Sequence, residues 1–550
     1  MLEPTGKLLL TTGLGLIAAG LTLPSPAAVL AGTLVVAALQ LELHRLRRQL
    51  QPLQAPLGLQ AQLEVMARGR AHQTERSHRV GNDIALVLRL DLPAAFVGAR
   101  LDIDRWWLSP GLTLYGDGIM TRILSQRDDS VVVRAMPHTA AVHRVWGLQG
   151  RLTDAAGLLQ AEVFIPTPLE LAALPRSLPL DLRAVAETRR MSPRSGMGQR
   201  PDKVPGTGDD LRELREHQPG DPFKHIAWKA SAARGHLMAR TFEREQTRSM
   251  FVVLETGATM RDGVPGRGPL DQAMDLCHSL AEVCARTHDP LGLALVDGRV
   301  IDARPVLEGL AALQSTDRAL LDLRRAVAED LAPLSESQLL ATVVHYLRAV
   351  ARVPLPEWHD NSHDNEQLAH VRQRTVMAAL ARLPERERQP LLRGPEPSVR
   401  ADLSILRRFC RAMDVPLPYR GALPAPARVA GLVAGVRAAM TARKGPYALV
   451  VISDFRGLVG QLQPLFQVFA AARQAGHRVL AVAVRELDAG ESFDLIAEAD
   501  DSDAARGLLR ADQAARQALL DELDQGCRRA GATFVGDANT KEIMAMWRYG

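Results

Sequence analysis

The sequence predicts a multidomain protein: an N-terminal transmembrane α-hairpin, a small β-sandwich, and a doubly wound α/β domain carrying a helical insertion. Three observations carry that reading. Two nearly charge-free apolar runs, Leu8 to Leu23 and Ala27 to Leu43, flank Pro24-Ser25-Pro26. Short β-prone pieces punctuated by Gly, Pro and Asp fill residues 81–170. From Met250 onward, apolar runs of strand length alternate with stretches of helical period, the pattern of a parallel sheet with crossover helices.

At 550 residues the chain is long enough for several domains, each burying its own core. Apolar residues at 47% and charged residues at 23% place the bulk among globular proteins. Lys plus Arg number 67 against 62 Asp plus Glu, an excess too small for a dedicated nucleic-acid binder, so no nucleic-acid partner is expected. Cys277, Cys284, Cys410 and Cys527 show no C-x-x-C spacing, which excludes a disulfide scaffold and a thiolate zinc site and fits a reducing compartment.

Each N-terminal apolar run makes roughly 25 Å of helix, at the short end for a membrane span. The prolines between them allow a reversal while both halves stay helical. Lys7 precedes the first run and His44-Arg45-Leu46-Arg47-Arg48 follows the second. Positive charge at both outer ends places both in the cytoplasm. Residues 1–48 are therefore read as a hairpin, and 49–80, with Arg68, Arg70, Arg76 and Arg79, as a basic juxtamembrane linker. That linker either lies along anionic headgroups or is a solvated connector. A cleaved signal peptide competes, but Glu3 offsets Lys7 and the second apolar run would go unexplained. A single tilted anchor would leave the orientation of the body unchanged.

In the expected β-domain, 81–175, the strand candidates are Ile84–Leu90, Leu112–Tyr115, Ser130–Val133 and Glu162–Ile165. Trp106-Trp107 is either core or interface. The α/β domain, 248–550, opens with Phe251-Val252-Val253-Leu254, apolar throughout as a buried parallel strand requires. A helix over Leu270–Arg286 places Ala273, Cys277, Leu280, Ala281 and Cys284 on one face, which makes both cysteines core residues. Strands follow at Leu291–Val296, at Arg299–Ile301 after an Asp297-Gly298 turn, and at Ala448–Ile452, Val479–Val484 and Thr533–Val535. Helices are expected near 459–475, 503–529 and 540–548. Between about 305 and 445 no strand is evident, so the helices Leu320–Val327, Leu339–Val350, Gln367–Leu383 and Leu403–Met413 read as an insertion.

Between sandwich and sheet, the segment 200–247 contains Leu214-Arg215-Glu216-His217-Gln218-Pro219-Gly220-Asp221 and then Ile226-Ala227-Trp228-Lys229-Ala230-Ser231-Ala232. These residues resemble the signature of the domain of unknown function family 58. The resemblance extends to the order of parts and covers roughly 400 residues, leaving out the insertion. The acidic residue that the family places before the Trp is Ala227 here, and the Arg after its Ser-Ala pair is Ala233. Pro219-Gly220-Asp221-Pro222 is turn chemistry, and Trp228 is a large apolar anchor. Arg215, Glu216, Lys229 and Arg240 suit a charge network bridging sandwich and sheet. An active-site reading would use His217, Asp221 and Lys229 as acid–base groups, and a partner-binding surface is the third reading.

The family resemblance implies that the sheet is von Willebrand factor A-like. Such domains resemble one another in a metal-ion-dependent adhesion site, opened by D-x-S-x-S after the first strand, whose hard oxygen ligands suit Mg²⁺. Here that element is Glu255-Thr256-Gly257-Ala258-Thr259. The carboxylate is lengthened, the first hydroxyl is lost at Gly257, and the second becomes Thr259. Asp454 supplies the later carboxylate. Glu255, Thr259 and Asp454 form the candidate metal set of a degenerate site. No cofactor is expected, and Mg²⁺ is the ion its oxygens would suit. The same strand ends are expected to contact a partner.

Two other clusters read as loops. Trp358-His359-Asp360-Asn361-Ser362-His363-Asp364 has a histidine pair at helical spacing, but it follows two prolines and is crowded with polar residues. Residues 263–268 are glycine-rich without the Lys-Ser/Thr of a phosphate loop, and neither G-x-x-x-x-G-K-[ST] nor G-x-S-x-G occurs in the chain. The resemblance implies an adaptor, not an enzyme, held at the bacterial inner membrane with its body in the cytoplasm and acting with a MoxR-type AAA+ ATPase. The alternatives are a metal-assisted hydrolase built on Glu255, Asp454 and the His217/Asp221 segment, and an architectural envelope-assembly component.

Overall fold

The computed structural model describes residues 4–23, 25–54, 61–67, 70–71, 78–91, 100–115, 121–123, 128–153, 160–178, 206–218, 223–242, 249–323, 328–351, 353–356, 358, 365–383, 385, 388, 398–413, 415–442, 445–485 and 503–536. Helices α1 (Pro4–Thr22) and α2 (Pro26–Gln54) pack against each other as a hairpin. Small residues let them close. A Cβ on Gly32 would lie 2.5 Å from the Gly13 carbonyl oxygen, an approach only glycine allows. Leu8, Leu14, Leu21, Leu30, Leu34 and Leu41 face outward. Pro26–Arg45 is the one span among the described residues long and apolar enough to cross a membrane, and Gly6–Thr22 is a shorter apolar helix.

Two five-stranded sheets follow. One runs in the order β2 (Arg70–Ala71), β1 (Ala61–Ala67), β4 (Ile84–Asp91), β8 (Asp128–Pro137), β6 (Leu112–Tyr115). The other runs β3 (His78–Arg79), β10 (Gln160–Leu174), β9 (Ala141–Thr153), β5 (Arg100–Leu108), β7 (Thr121–Ile123). Leu86, Leu88 and Val133 from the first share a core with Leu101, Val145, Leu148 and Ile165 from the second, as facing sheets do. Three of these strands, β1 to β3, arise inside the stretch expected to be linker. The period-two run Gln62-Leu63-Glu64-Val65 is the signal for the first of them.

Beyond the sandwich, β11 (Gly206–Glu216) and β12 (Met238–Phe242) pair antiparallel as a two-stranded arm. Between them lie a 3₁₀ turn, Phe223–His225, and the short helix α3 (Trp228–Arg234).

The third body is a six-stranded sheet in the order β15 (Val300–Leu307), β14 (Leu291–Val296), β13 (Met250–Glu255), β16 (Ala448–Ser453), β17 (Arg478–Ala483), β18 (Thr533–Val535). All pairs are parallel except β14–β15. Strands β13 and β14 are buried along their whole length, because helices cover both faces. On one face lie α5 (Pro269–Thr287) and α6 (Gly309–Asp322), with Cys277 and Cys284 in the core as the helical spacing predicts. On the other lie α10 (Ala425–Ala442), α11 (Gln463–Gln474) and α12 (Asp503–Arg529). A one-turn helix, α4 (Ala258–Arg261), follows β13. The helix expected near 540–548 lies outside the described residues.

The stretch expected to be an insertion over 305–445 divides. Helices α6 and α10 pack on the sheet itself. Only α7 (Glu336–Ala349), α8 (Asn365–Leu380) and α9 (Val399–Met413) build a separate core, from Leu340, Val343, Leu347, Val376 and Phe409. Trp146 of β9 joins that core. Its ring meets Tyr346 edge-on at 5.8 Å, and its Nε1 donates to the Met413 carbonyl at 3.2 Å. The all-round apolar texture of α10 marks a helix buried by the sheet domain; length and proline breaks alone do not separate it from α7–α9.

A polar seam joins sandwich and sheet along α5. Arg79 donates to Glu282 at 2.7 Å, and its Nη1 lies 3.0 Å from His278 Nε2. His278 Nδ1 lies 2.6 Å from Asp317 Oδ1, which assigns the ring proton to Nδ1 and leaves Nε2 to accept from Arg79. The Arg176 amide donates to Asp275 at 2.7 Å. The loop 263–268 is part of this contact: the Gly266 amide donates to Asp271 at 2.8 Å, and a Cβ on Gly266 would meet the His138 carbonyl oxygen. The loop is seated on the sandwich.

Burial pushes the Asp275 carboxyl up to about 7, against the pull of the Arg176 amide. The unfolded chain releases this proton near the ordinary carboxylate value, so the contribution of Asp275 to folding stability falls as pH rises from about 4 to about 7 and is level above that. Asp275→Asn keeps the acceptor oxygen. Thermal unfolding across pH should show the variant gaining on the parent over that window, with a constant advantage at higher pH. Parallel curves for the two proteins would contradict the assignment.

Candidate functional site

Strands β14, β13 and β16 are neighbours in the sheet, and each presents a carboxylate at its carboxyl end. Asp297 follows β14, Glu255 ends β13, and Asp454 follows β16. Their side chains are 2%, 1% and 5% exposed. Three carboxylates taken out of water on adjacent strands cost several kcal/mol each unless paired (about that order from desolvation alone).

Two arginines from one short segment pair with them. Arg428, in the first turn of α10 and itself 4% exposed, forks onto Glu255: Nε donates to Oε1 at 2.7 Å and Nη2 to Oε2 at 3.0 Å. The same Nη2 donates to Asp454 Oδ1 at 2.7 Å, and Nη1 donates to the Arg456 carbonyl. Ser453 donates its hydroxyl to Glu255 and accepts from the Phe455 amide at 2.8 Å. Burial pushes the Glu255 carboxyl up from its ordinary value, and donation from Arg428 opposes that shift. The paired carboxylates push Arg428 up despite its burial, so its charge is permanent. Phe455, fully buried, takes φ +50, an uncommon conformation for a bulky residue. This bend accompanies the approach of both the Asp454 carboxylate and the Arg456 carbonyl to one guanidinium.

Arg420 serves the neighbouring strand. Its Nε donates to Asp297 Oδ2 at 3.1 Å and its Nη2 to the Asp297 carbonyl at 2.8 Å, while the Tyr419 hydroxyl donates to Oδ2 at 2.7 Å. Arg261 stacks over the Tyr419 ring at 3.9 Å and donates to the Leu323 carbonyl at 2.9 Å. The Arg420 amide donates to Leu331 at 2.8 Å. The chain leaving the sheet for α7–α9 and the chain returning from it are thereby held side by side.

Glycines bring α10 close enough for this contact. A Cβ on Gly431 would stand 2.6 Å from the Gly298 backbone nitrogen, and one on Gly435 would stand 2.6 Å from Val253 Cγ1. Gly257 is explained in the same way: a Cβ there would lie 2.9 Å from Asp297 Oδ1. The position that carries a serine in the D-x-S-x-S pattern faces a carboxylate held by Tyr419 and Arg420.

The candidate metal set is thus only partly assembled for a metal. Glu255 and Asp454 meet, but through Arg428. Of their oxygens and the Thr259 hydroxyl, Asp454 Oδ2 and Thr259 Oγ1 alone are buried without a hydrogen-bond partner. A divalent ion takes about six oxygen ligands, and here it would also sit against a guanidinium nitrogen 2.7 Å from Asp454. The residues as arranged do not fit Mg²⁺. Among the described residues, no group of three or more His, Cys, Asp or Glu is placed to hold a metal. His359 and His363 lie outside the described residues.

The signature residues form a second grouping, on the arm. Ser231 donates its hydroxyl to the Ala227 carbonyl at 3.0 Å and accepts from the Met238 amide at 2.8 Å, stapling α3 to β12. Ala227 is buried, so an acidic residue there would need a partner inside the arm. Arg215 donates to the Glu216 carbonyl at 2.9 Å, and Glu216 pairs with His236 at 3.5 Å. Lys229 and Arg240 are exposed. Trp228 is 59% exposed, with its ring 6.3 Å from that of Phe223, which is 76% exposed. A two-stranded sheet with a single short helix has too little interior to cover an indole. Leu214 and Leu237 are exposed beside them in sequence. Pro219, Gly220 and Asp221 lie outside the described residues.

Sequence reasoning missed Arg428, Arg420, Tyr419 and Asp297. The signal for Arg428 was present in Ala425-Pro426-Ala427-Arg428-Val429-Ala430-Gly431-Leu432-Val433-Ala434-Gly435. A cation set among apolar residues and glycines, on the face that the glycines bring against the sheet, needs an anion when it is buried. Gly431→Ala tests the packing. Helix propensity favours the change by about 1 kcal/mol, whereas overpacking costs about 1–3 kcal/mol, and the backbone of Gly298 cannot rotate away. Its melting temperature should fall, and by more than that of Gly435→Ala, whose neighbours are valine methyls. An unchanged Gly431→Ala would contradict the close approach.

No curated protein matches the chain. Residues 213–354 match the family model described as Protein of unknown function DUF58. The matched stretch holds most of the arm, Glu255, Gly257, Thr259 and Asp297, and ends before Arg420, Arg428 and Asp454. That match supports the DUF58 family for this part of the chain.

Proposed function

We propose that the protein is a membrane-anchored adaptor whose arm docks a protein partner in the cytoplasm. The observation that carries this is the Phe223–Trp228 pair, two adjacent aromatic rings left in solvent on the segment that carries the signature. Exposed tryptophan is an unfavourable surface residue and a favoured anchor at protein interfaces. Lys229 and Arg234 are exposed on the same short helix, a charged rim around the apolar centre.

The remaining features suit this role. Outward leucines on α1 and α2 suit lipid contact, and Lys7 and Arg45 at the outer ends of the hairpin favour a cytoplasmic body at a bacterial inner membrane. The parallel sheet with helices on both faces supports the von Willebrand factor A-like reading. The family resemblance names the kind of partner, a MoxR-type AAA+ ATPase, and the work as chaperone-like or envelope-related assembly. In this reading the protein binds and does not catalyse.

The test is association of the full-length protein, in detergent, with a MoxR-type AAA+ ATPase from the same cell, with and without ATP. Binding is expected, and Trp228→Ala should weaken it by about 2 kcal/mol, roughly 30-fold in Kd. No binding of the parent in either nucleotide state, or equal binding by Trp228→Ala, would refute the docking role of the arm.

A further inference from the structure

We infer that Arg428 is a built-in cation: its guanidinium stands where a von Willebrand factor A-like sheet would hold a divalent ion, and makes the carboxyl end of this sheet assemble without metal. This inference is independent of the docking role of the arm, since it concerns the buried ends of β13, β14 and β16.

A metal at this place would have to gather the carboxylates of β13 and β16 and bridge them. Arg428 does so with three N–H donations, at 2.7, 3.0 and 2.7 Å, and anchors its remaining nitrogen on the Arg456 carbonyl. The planar fork matches both oxygens of Glu255. The extra methylene of Glu255, relative to the aspartate of the metal pattern, extends its carboxylate towards the helix that supplies the arginine. The absent hydroxyl at Gly257 is compensated as well: Asp297 Oδ1 occupies the space a serine Cβ would need, and Asp297 is satisfied by Tyr419 and Arg420. Two of the three departures from D-x-S-x-S therefore connect to the side chains between Tyr419 and Arg428, Glu255 directly and Gly257 by way of Asp297. A metal ion exchanges with solvent and chelators, whereas a guanidinium on a helix neither dissociates nor loses its proton.

Metal titration and stability across pH tell a guanidinium-held strand end from a metal-held one. The full-length protein in detergent should show the same melting temperature in EDTA and in excess Mg²⁺, and should leave the electron paramagnetic resonance signal of free Mn²⁺ undiminished. Arg428→Met strands two buried carboxylates, so its melting temperature at neutral pH should fall by on the order of 10 °C. Part of that loss should return on acidification, because protonation removes the stranded charges. Arg428→Lys keeps the charge but not the fork, and should lie between the two. Should Arg428→Met fail to fold, the Mn²⁺ and EDTA measurements on the parent and the intermediate stability of Arg428→Lys decide the matter. Stoichiometric Mn²⁺ binding by the parent that is lost in Glu255→Gln, or a melting temperature unchanged in both Arg428 variants, would overturn the inference.

Discussion

The guanidinium of Arg428 between Glu255 and Asp454 is the contact on which the architecture of the sheet domain turns. Removing water from the ends of β13 and β16 leaves two carboxylates in a low-dielectric interior, where each alone would be unfavourable by several kcal/mol (roughly). A domain is stable by only about 5–15 kcal/mol in total. The pair therefore needs a cation with the right geometry, not merely a nearby positive charge. A buried ion pair is poor evidence of added stability compared with apolar residues of the same volume, but it is stringent about position. That stringency seats α10: the fork accepts one rotation and one height of the helix, and Gly431 and Gly435 permit that placement and little else.

Position then propagates along the chain. The segment ending at Arg428 begins at Tyr419 and Arg420, which hold Asp297 on the next strand. Arg261, just after β13, touches both the departure of the α7–α9 unit at Leu323 and its return at Tyr419. The unit is joined to the sheet at a narrow neck, and the neck is fastened by the same charges that close the strand ends. On its far side the unit packs on Trp146 of the sandwich. Its chain connections and its packing partner thus belong to different domains, so the orientation of sandwich relative to sheet is held at two places, this one and the Arg79–Glu282 seam on α5.

Legibility in the sequence followed the range of the interactions. Strands such as Phe251–Leu254 and Ala448–Ile452 were readable because burial on both faces leaves a continuous apolar run, and α5 because its core face repeats at helical spacing. The β1–β3 strands were obscured by the arginines around them, which drew a reading of linker from a segment whose local alternation was strand-like. Glu255, Gly257, Thr259 and Asp454 were recognisable from motif order alone. Their partners were not: Arg428 lies far along the chain from Glu255, and its apolar, glycine-striped surroundings hint at burial without saying which carboxylates it meets. Trp228 shows the converse limit. Its residue type marks an apolar anchor without saying against what, and the slightness of the arm, a tertiary fact, leaves it in solvent.

Open α/β sheets commonly place ligands at the carboxyl ends of their strands because backbone and side-chain polar groups converge there without partners. In this protein most of the convergence is taken up internally, with Asp454 Oδ2 and Thr259 Oγ1 left without a hydrogen-bond partner. Glu255 is bonded at both oxygens by Arg428 and Ser453, and Asp297 is held at Oδ2 by Tyr419 and Arg420. The surface proposed for docking is of the reverse kind, apolar and exposed, on an arm whose strands pair only with each other among the described residues. The two groupings divide the work between them. With Arg428 inferred to act as the built-in cation, the charged row would hold the sheet ends without an exchangeable ion, and the aromatic pair, apart from that row, presents exposed apolar surface.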